Sequence, residues 1–260
     1  MTIRASLRTF LRAGAALLAV ALGGVMLAQA HAAPAKPPVV LPDWSGIWMR
    51  DGNTNYDASV KVGDRQHPPL TPEYEKLYQA KLDAAAAGKP FGDPTAACFP
   101  SGMPRVMRNP YPFEFVVTPK VVYTLHEQNI AGARRIFTDG RKHPAADDMQ
   151  ITYNGHSIGH WEGDTLVVDT IGINANSVFD STGIPHSDQI HVMERIRKIG
   201  DKMENQITVE DKLAFAQPWT ITRTYTNHAK EGWEIKEYLC QENNRNVVND
   251  KGETTAVLAK

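Results

Sequence analysis

The sequence predicts a mainly β domain, an antiparallel meander that curls into a barrel or a strongly bent sheet. Two hairpin signals carry that expectation: Gly163-Asp164 and Gly200-Asp201, each between runs of alternating β-rich residues. A third hairpin, residues 219–226 against 233–240, has a longer loop. Sequential antiparallel strands joined by short turns argue for such closure, and neither a sequence repeat nor a heptad pattern argues for anything else.

The elements follow in chain order. Arg4, Arg8 and Arg12 form a basic start, residues 13–27 are apolar, and small-x-small cleavage sites fall at 28–30 and 30–32. This reads as a signal peptide over residues 1–32, too short in its apolar run for a membrane span. Without an adjacent Arg pair it is a general (Sec-type) signal, so the chain is expected in the periplasm or outside the cell. An exported protein meets no steady supply of ATP or reduced nicotinamide, which argues against nucleotide-driven chemistry. Cleavage would leave roughly 228 residues as a proline-rich leader (33–43) and a single β-rich domain (44–260). It would remove three of the 28 basic residues and none of the 29 acidic ones, leaving 25 against 29. No basic run stands out, so the footprint of a nucleic-acid binder is missing. No second long apolar segment follows, so no integral membrane span is expected.

Trp44 and Trp48 begin the ordered chain and are large enough to plug a core. Thr71-Pro72-Glu73 reads as a helix start, and the helix runs to about Ala87 before Gly88. Six prolines between residues 88 and 113 then impose a loop. Strands follow at 114–118, 121–127 and 134–138, then at 156–162 and 165–171, and finally at 189–199, 202–211, 219–226 and 233–240. Cys98 and Cys240 are the only cysteines. In an oxidising compartment such a pair is expected to form one disulfide, worth roughly 5 kcal/mol at most in the chain-entropy model. Two buried free thiols are the other reading.

Strand alternation sorts the candidate site residues by face. Glu194 falls among Ile190, Val192 and Ile196; Arg223 lies beside Ile221 and Tyr225, and Glu237 beside Ile235 and Leu239. Three charges thus aim at one interior. Either they form an ion network that fixes register, or they floor a ligand cavity in which burial raises the pKa of Glu194 for acid–base work. Asn205 and Tyr225 share the inward faces, and His156, His160 and Glu237 complete the expected ligand-lining set. On a strand His156 and His160 stand about 13 Å apart at about 3.3 Å per residue, too far to share a metal ion.

The loop between Gly172 and Asp188 is long for a compact domain. It ends in Gly183-Ile-Pro-His-Ser-Asp188, where His186 and Asp188 are expected to pair as an oriented base, or else merely to form a capped turn. His191 falls on the face opposite Glu194. The trio His186, Asp188 and His191 lacks the tight spacing of structural zinc sites, and no metal or cofactor is implied. Arg105, Arg134 and Arg135 are further candidates for anionic ligands. A Gly-rich phosphate loop, a Gly-x-Ser-x-Gly elbow and a Cys-x-x-Cys pair are all missing from the sequence.

Residues 159–169 (GHWEGDTLVVD), 185–195 (PHSDQIHVMER), 218–220 (PWT) and 237–244 (EYLCQENN) resemble segments of a widespread group of uncharacterised exported bacterial proteins. That resemblance implies export and carries no catalytic residues with it. The meander also resembles lipocalin-like barrels, which implies a cavity for an apolar ligand. The expected function is the handling of a small, largely apolar or aromatic organic molecule. As an enzyme it would be a cofactor-free lyase, isomerase or hydrolase, with Glu194 and His186 moving protons, Asp188 orienting His186, and Arg223 as partner or oxyanion stabiliser. The alternatives are a non-catalytic ligand carrier of the cell envelope, and an envelope interaction protein that would show an exposed aromatic patch near Trp44 or Trp233.

Overall fold

A computed structural model describes residues 41–52, 68–89, 93–128, 131–180, 182–240, 247–248 and 254–255. The expected signal peptide and most of the leader lie outside the described residues. Nine strands close a barrel in chain order: β1 (Trp48–Arg50), β2 (Phe113–Val117), β3 (Val121–His126), β4 (Arg134–Phe137), β5 (His156–Glu162), β6 (Thr165–Ile171), β7 (His191–Ile199), β8 (Lys202–Glu210) and β9 (Trp219–Asn227). β1 closes the ring by pairing with both β9 and β2 (Trp48↔Asn227 and Trp48↔Phe113). A separate two-stranded sheet joins β10 (Val247–Val248) to β11 (Thr254–Thr255).

The two predicted Gly-Asp turns form in register. Glu162 pairs with Thr165 and Ile199 with Lys202, while Gly163 and Gly200 take φ of 63° and 61°, the sign that such tight hairpins require. One pairing departs from a simple meander: β4 and β5 run parallel and share only Ile136↔Ser157 and Phe137↔Ile158. Parallel neighbours need a crossover, and residues 138–155 supply it. The expected strand at 233–240 does not form; its alternation is real, but no neighbouring strand pairs with it, and Glu237 is exposed to solvent. That segment is instead tied down by the Cys98–Cys240 disulfide, with Cα atoms 5.7 Å apart.

The one α-helix among the described residues, α1 (Pro72–Ala86), starts and stops where the sequence indicates. Thr71 contributes its hydroxyl to the Leu213 carbonyl at 3.0 Å instead of capping the helix, and Glu73 and Glu75 complement the dipole of the first turn. Tyr78 is the buried residue of α1, and its hydroxyl lies 3.0 Å from Thr182 Oγ1. No described helix is long and apolar enough to cross a membrane.

Inside the barrel, Leu166, Val168, Val192, Ile196, Met203, Ile207 and Val209 alternate inward and are almost completely buried, together with Trp44, Trp48 and Phe113. Each aliphatic side chain so removed from water contributes about 1.5–3 kcal/mol. The long β6–β7 loop is anchored into this core by Ile173, Phe179, Ile184 and Ile190, which is why so many residues without regular structure are tolerated there.

A polar belt crosses the same interior. The Arg134 guanidinium is ion-paired with Glu194, both fully buried, and Nη2 of Arg134 donates to Thr170 Oγ1 at 3.0 Å. Its Nε donates to Ser157 Oγ at 3.2 Å, and Asn205 Nδ2 donates to Glu194 Oε1 at 2.8 Å. Removing one member of such a pair strands the other charge in the core. Arg134→Met is therefore expected to lower the unfolding free energy by about 3–5 kcal/mol in urea titration, and adding Glu194→Leu to recover most of that loss. Equal stability of Arg134→Met and wild type would show that the pair does not hold the belt.

Candidate active site

The structure disperses most of the residues that the sequence brought together. Glu194 is interior as alternation requires, but its cationic partner is Arg134 and not Arg223. With one oxygen on Arg134, the other on Asn205 and no solvent contact, Glu194 is a structural carboxylate. Arg223 also points inward, with Nη2 3.4 Å from the Asp51 carbonyl. Tyr225 is buried and donates its hydroxyl to the Met107 carbonyl at 2.7 Å; burial raises its pKa. Asn205 belongs to the belt, whereas Glu237 and His160 are exposed, His160 donating to Glu162 at 3.2 Å.

The expected His186–Asp188 pair does not form. His186 is buried with its ring nitrogens 2.8 Å from Ser177 Oγ and 2.8 Å from the Ser187 carbonyl, while Asp188 is exposed. The carboxylate that orders this loop is Asp211, which accepts from Ser187 N at 2.6 Å and Ser187 Oγ at 2.7 Å.

Chemistry gathers instead on the outer face of β5, β6 and β7. His156, Asp169 and His191 each point outward from one of these strands, and His143, in the β4–β5 crossover, lies across them. Asp169 Oδ1 is 2.9 Å from His191 Nε2 and 3.0 Å from His143 Nε2; His143 Nδ1 is 2.8 Å from His156 Nδ1. The four side chains form one line, His191–Asp169–His143–His156.

The line dictates its own protonation. The two histidine hydrogen bonds hold the Asp169 carboxyl below its ordinary value, so it is ionised and can only accept. His191 and His143 therefore donate through Nε2. In a neutral His143 ring Nδ1 is then the acceptor, and His156 must donate to it through its own Nδ1. That leaves Nε2 of His156 as a lone pair with no hydrogen-bond partner among the described residues. The tautomers are assigned from this network. The hydrogen bond to Asp169 raises the pKa of His191, whereas burial, reinforced by the nearby Arg141 guanidinium, lowers that of His156.

Two openings flank the line. A cleft of about 800 Å³ lies at the barrel end where β4 and β5 begin and β6 ends, and His156 lines it with Pro100, Phe137, Met149, Ile151 and Tyr153. A groove of about 520 Å³ runs over the outer face past Ile158, Val167, Asp169 and Met193. His156 stacks on Phe137 with ring centroids 5.5 Å apart, which fixes the ring at the cleft wall. Among the described residues no group of three or more His, Cys, Asp or Glu is arranged to hold a metal ion.

Sequence reasoning missed His143 and Asp169. For Asp169 a signal existed, since the alternation that excludes His191 from the Glu194 face puts both His191 and Asp169 outward on adjacent strands. His143 sits in irregular chain and offers no such signal. Compared with known proteins, the chain matches no protein family, no curated protein and no solved structure.

The shifts have opposite consequences for stability. His191, raised in the fold, contributes stability that is complete below the ordinary histidine value of 6.5 and lost as pH rises through its folded pKa. His156 and the buried His126 are depressed, His126 to about 3, so their contribution is present above 6.5 and lost as pH falls through the acid range. Imidazole NMR titration should find His191 protonating above 6.5, His156 below it, and His126 neutral until about pH 3. Asp169→Asn should return His191 towards 6.5 and leave His126 unmoved; the reverse order of His191 and His156 would refute the assignment.

Proposed function

We propose that this protein is an exported enzyme that performs acid–base chemistry with its own side chains on a small, largely apolar organic molecule. The reaction class is elimination, isomerisation or hydrolysis, and the substrate occupies the cleft beside His156. One observation carries the reading: the His–Asp–His–His line ends in a neutral imidazole at the wall of a cleft of about 800 Å³, with the pKa values of its end members pushed apart. Divergent pKa values within one site are how a fold sets an acid against a base at neutral pH.

In this reading His156 Nε2 takes the proton. His143 orients the ring through Nδ1, and the Asp169 carboxylate stabilises the positive charge that develops along the line. His191, the more basic imidazole, holds Asp169 ionised and in place. Phe137, Met149 and Ile151 offer an apolar substrate body a wall to rest on, beside polar groups from Arg135, Asp148 and Asn154 that line the same cleft. An enzyme is favoured over a carrier because a binding wall gains nothing from a relay of four titratable groups. Export, membership of the exported bacterial group suggested by the sequence segments, and a periplasmic or secreted location belong to the same proposal. The disulfide supports them, since such bonds persist in oxidising compartments.

The test begins with native mass spectrometry of the mature protein from its own host, before and after denaturation, with metal analysis alongside. A retained organic adduct names a compound class, which is then incubated in D₂O and followed by NMR. Turnover or deuterium incorporation should fall by about 10²–10⁴-fold in His156→Gln and in Asp169→Asn. Wild-type rates in both variants, or a stoichiometric metal on which the activity depends, would overturn the proposal. Binding without any conversion would leave the carrier reading in its place.

A further inference from the structure

We propose that Ser177 is a nucleophile for acyl transfer, with His186 as its general base, in a cavity separate from the His156 cleft. The inference is independent of the proton relay and concerns the β6–β7 loop. Ser177 Oγ lies 2.8 Å from His186 Nε2, and His186 Nδ1 lies 2.8 Å from the Ser187 carbonyl oxygen. A carbonyl only accepts, so Nδ1 carries the ring proton and Nε2 presents its lone pair to the serine hydroxyl. Ser187 is itself clamped by two hydrogen bonds to Asp211, which fixes the carbonyl that orients the imidazole. Nucleophile, base and orienter are thereby in sequence within hydrogen-bond reach, with a backbone carbonyl in the place a carboxylate often takes.

Three further features point to use and not merely to loop bracing. Ser177 lines a cavity of about 370 Å³ with Lys81, Phe99, Tyr153, Val178 and Pro185, within the range of small-molecule sites. Burial depresses the pKa of His186, which keeps the ring neutral and able to accept a proton at neutral pH. Lys81 brings an ammonium to the same cavity, donating to the Gly183 carbonyl at 3.0 Å. Ser177 Oγ is also within donating distance of the Asn174 carbonyl at 2.8 Å, so the one hydroxyl proton has two competing acceptors, and attack requires it on the His186 side.

The substrate class is an ester with a small, largely apolar body. Ser177 Oγ bonds to the acyl carbon as its proton passes to His186 Nε2, and the carbonyl oxygen becomes an oxyanion beside the Lys81 ammonium. Collapse breaks the ester C–O bond, and the departing alkoxide takes the proton from Nε2. Water then attacks the acyl-serine, giving its proton to Nε2, and Ser177 leaves with that proton as the carboxylic acid is released. Ester and water are consumed; acid and alcohol are formed.

The full mature chain, treated with a fluorophosphonate and analysed by intact mass and peptide mapping, tests this directly. One phosphonyl adduct on Ser177 is expected, at a rate that rises with pH to a plateau with its midpoint below 6.5, as the neutral imidazole becomes the resting form. His186→Gln should slow labelling by about 10²-fold or more. No adduct on Ser177, an adduct only on another residue, or a rate without that pH dependence would overturn the assignment. The wild-type readouts stand even if His186→Gln fails to fold.

Discussion

One buried ion pair organises the barrel. β4 and β5 share only two residue pairs, too few to hold a parallel junction by backbone hydrogen bonds alone. The Arg134 guanidinium bridges the weakness from inside, reaching Ser157 on β5, Thr170 on β6 and Glu194 on β7, while Asn205 on β8 ties off the second carboxylate oxygen. One polar residue from each of five successive strands thus meets in a single belt. Burying this much charge costs free energy that only near-complete pairing offsets. What the belt supplies in return is register: a slip of one residue in any of these strands would turn its member out of the barrel.

The same belt fixes the outer face. Ser157 and Thr170 point inward, and their chain neighbours His156 and Asp169 therefore point outward. Locking the inner pair sets the spacing of the outer pair to within the precision of a strand. His191 begins β7 three residues before Glu194 and is placed by the same register. Groups that must hold hydrogen-bond distances of about 3 Å gain from being mounted on strands and not on loops. Only His143 comes from irregular chain, and it is held from both sides by the groups it connects.

Legibility in the sequence followed the range of the interaction. The hairpins at Gly163-Asp164 and Gly200-Asp201, the helix from Pro72 and the inward course of Glu194 and Arg223 are local or alternate with period two, and all could be read from the sequence. The partner of Glu194 could not, because Arg134 lies sixty residues away in a short strand whose neighbour runs parallel. Residues 233–240 alternate convincingly, yet no strand pairs with them: β9 already pairs with β8 and, through β1, closes the ring. A closed barrel has no edge left to accept another strand. Glu237 was misplaced for that reason and not for want of a pattern. The closing strand β1 is three residues long, below the length at which alternation can be recognised.

The two candidate sites lie at one end of this frame. The His156 cleft and the Ser177 cavity share Tyr153 in their walls, and both are built from the chain around residues 149–155 and the loop after β6. Loops tolerate variation that strands cannot, so chemistry tends to collect where loops rest on a fixed sheet. In this barrel the division is sharper than usual. The relay is mounted on strands, with its alignment set by the buried belt. The Ser177–His186 pair is mounted on a loop, with its alignment set by Asp211 and by the apolar anchors Phe179 and Ile184. The two depend on different supports, so loss of the belt should disturb the alignment of His156 far more than that of Ser177.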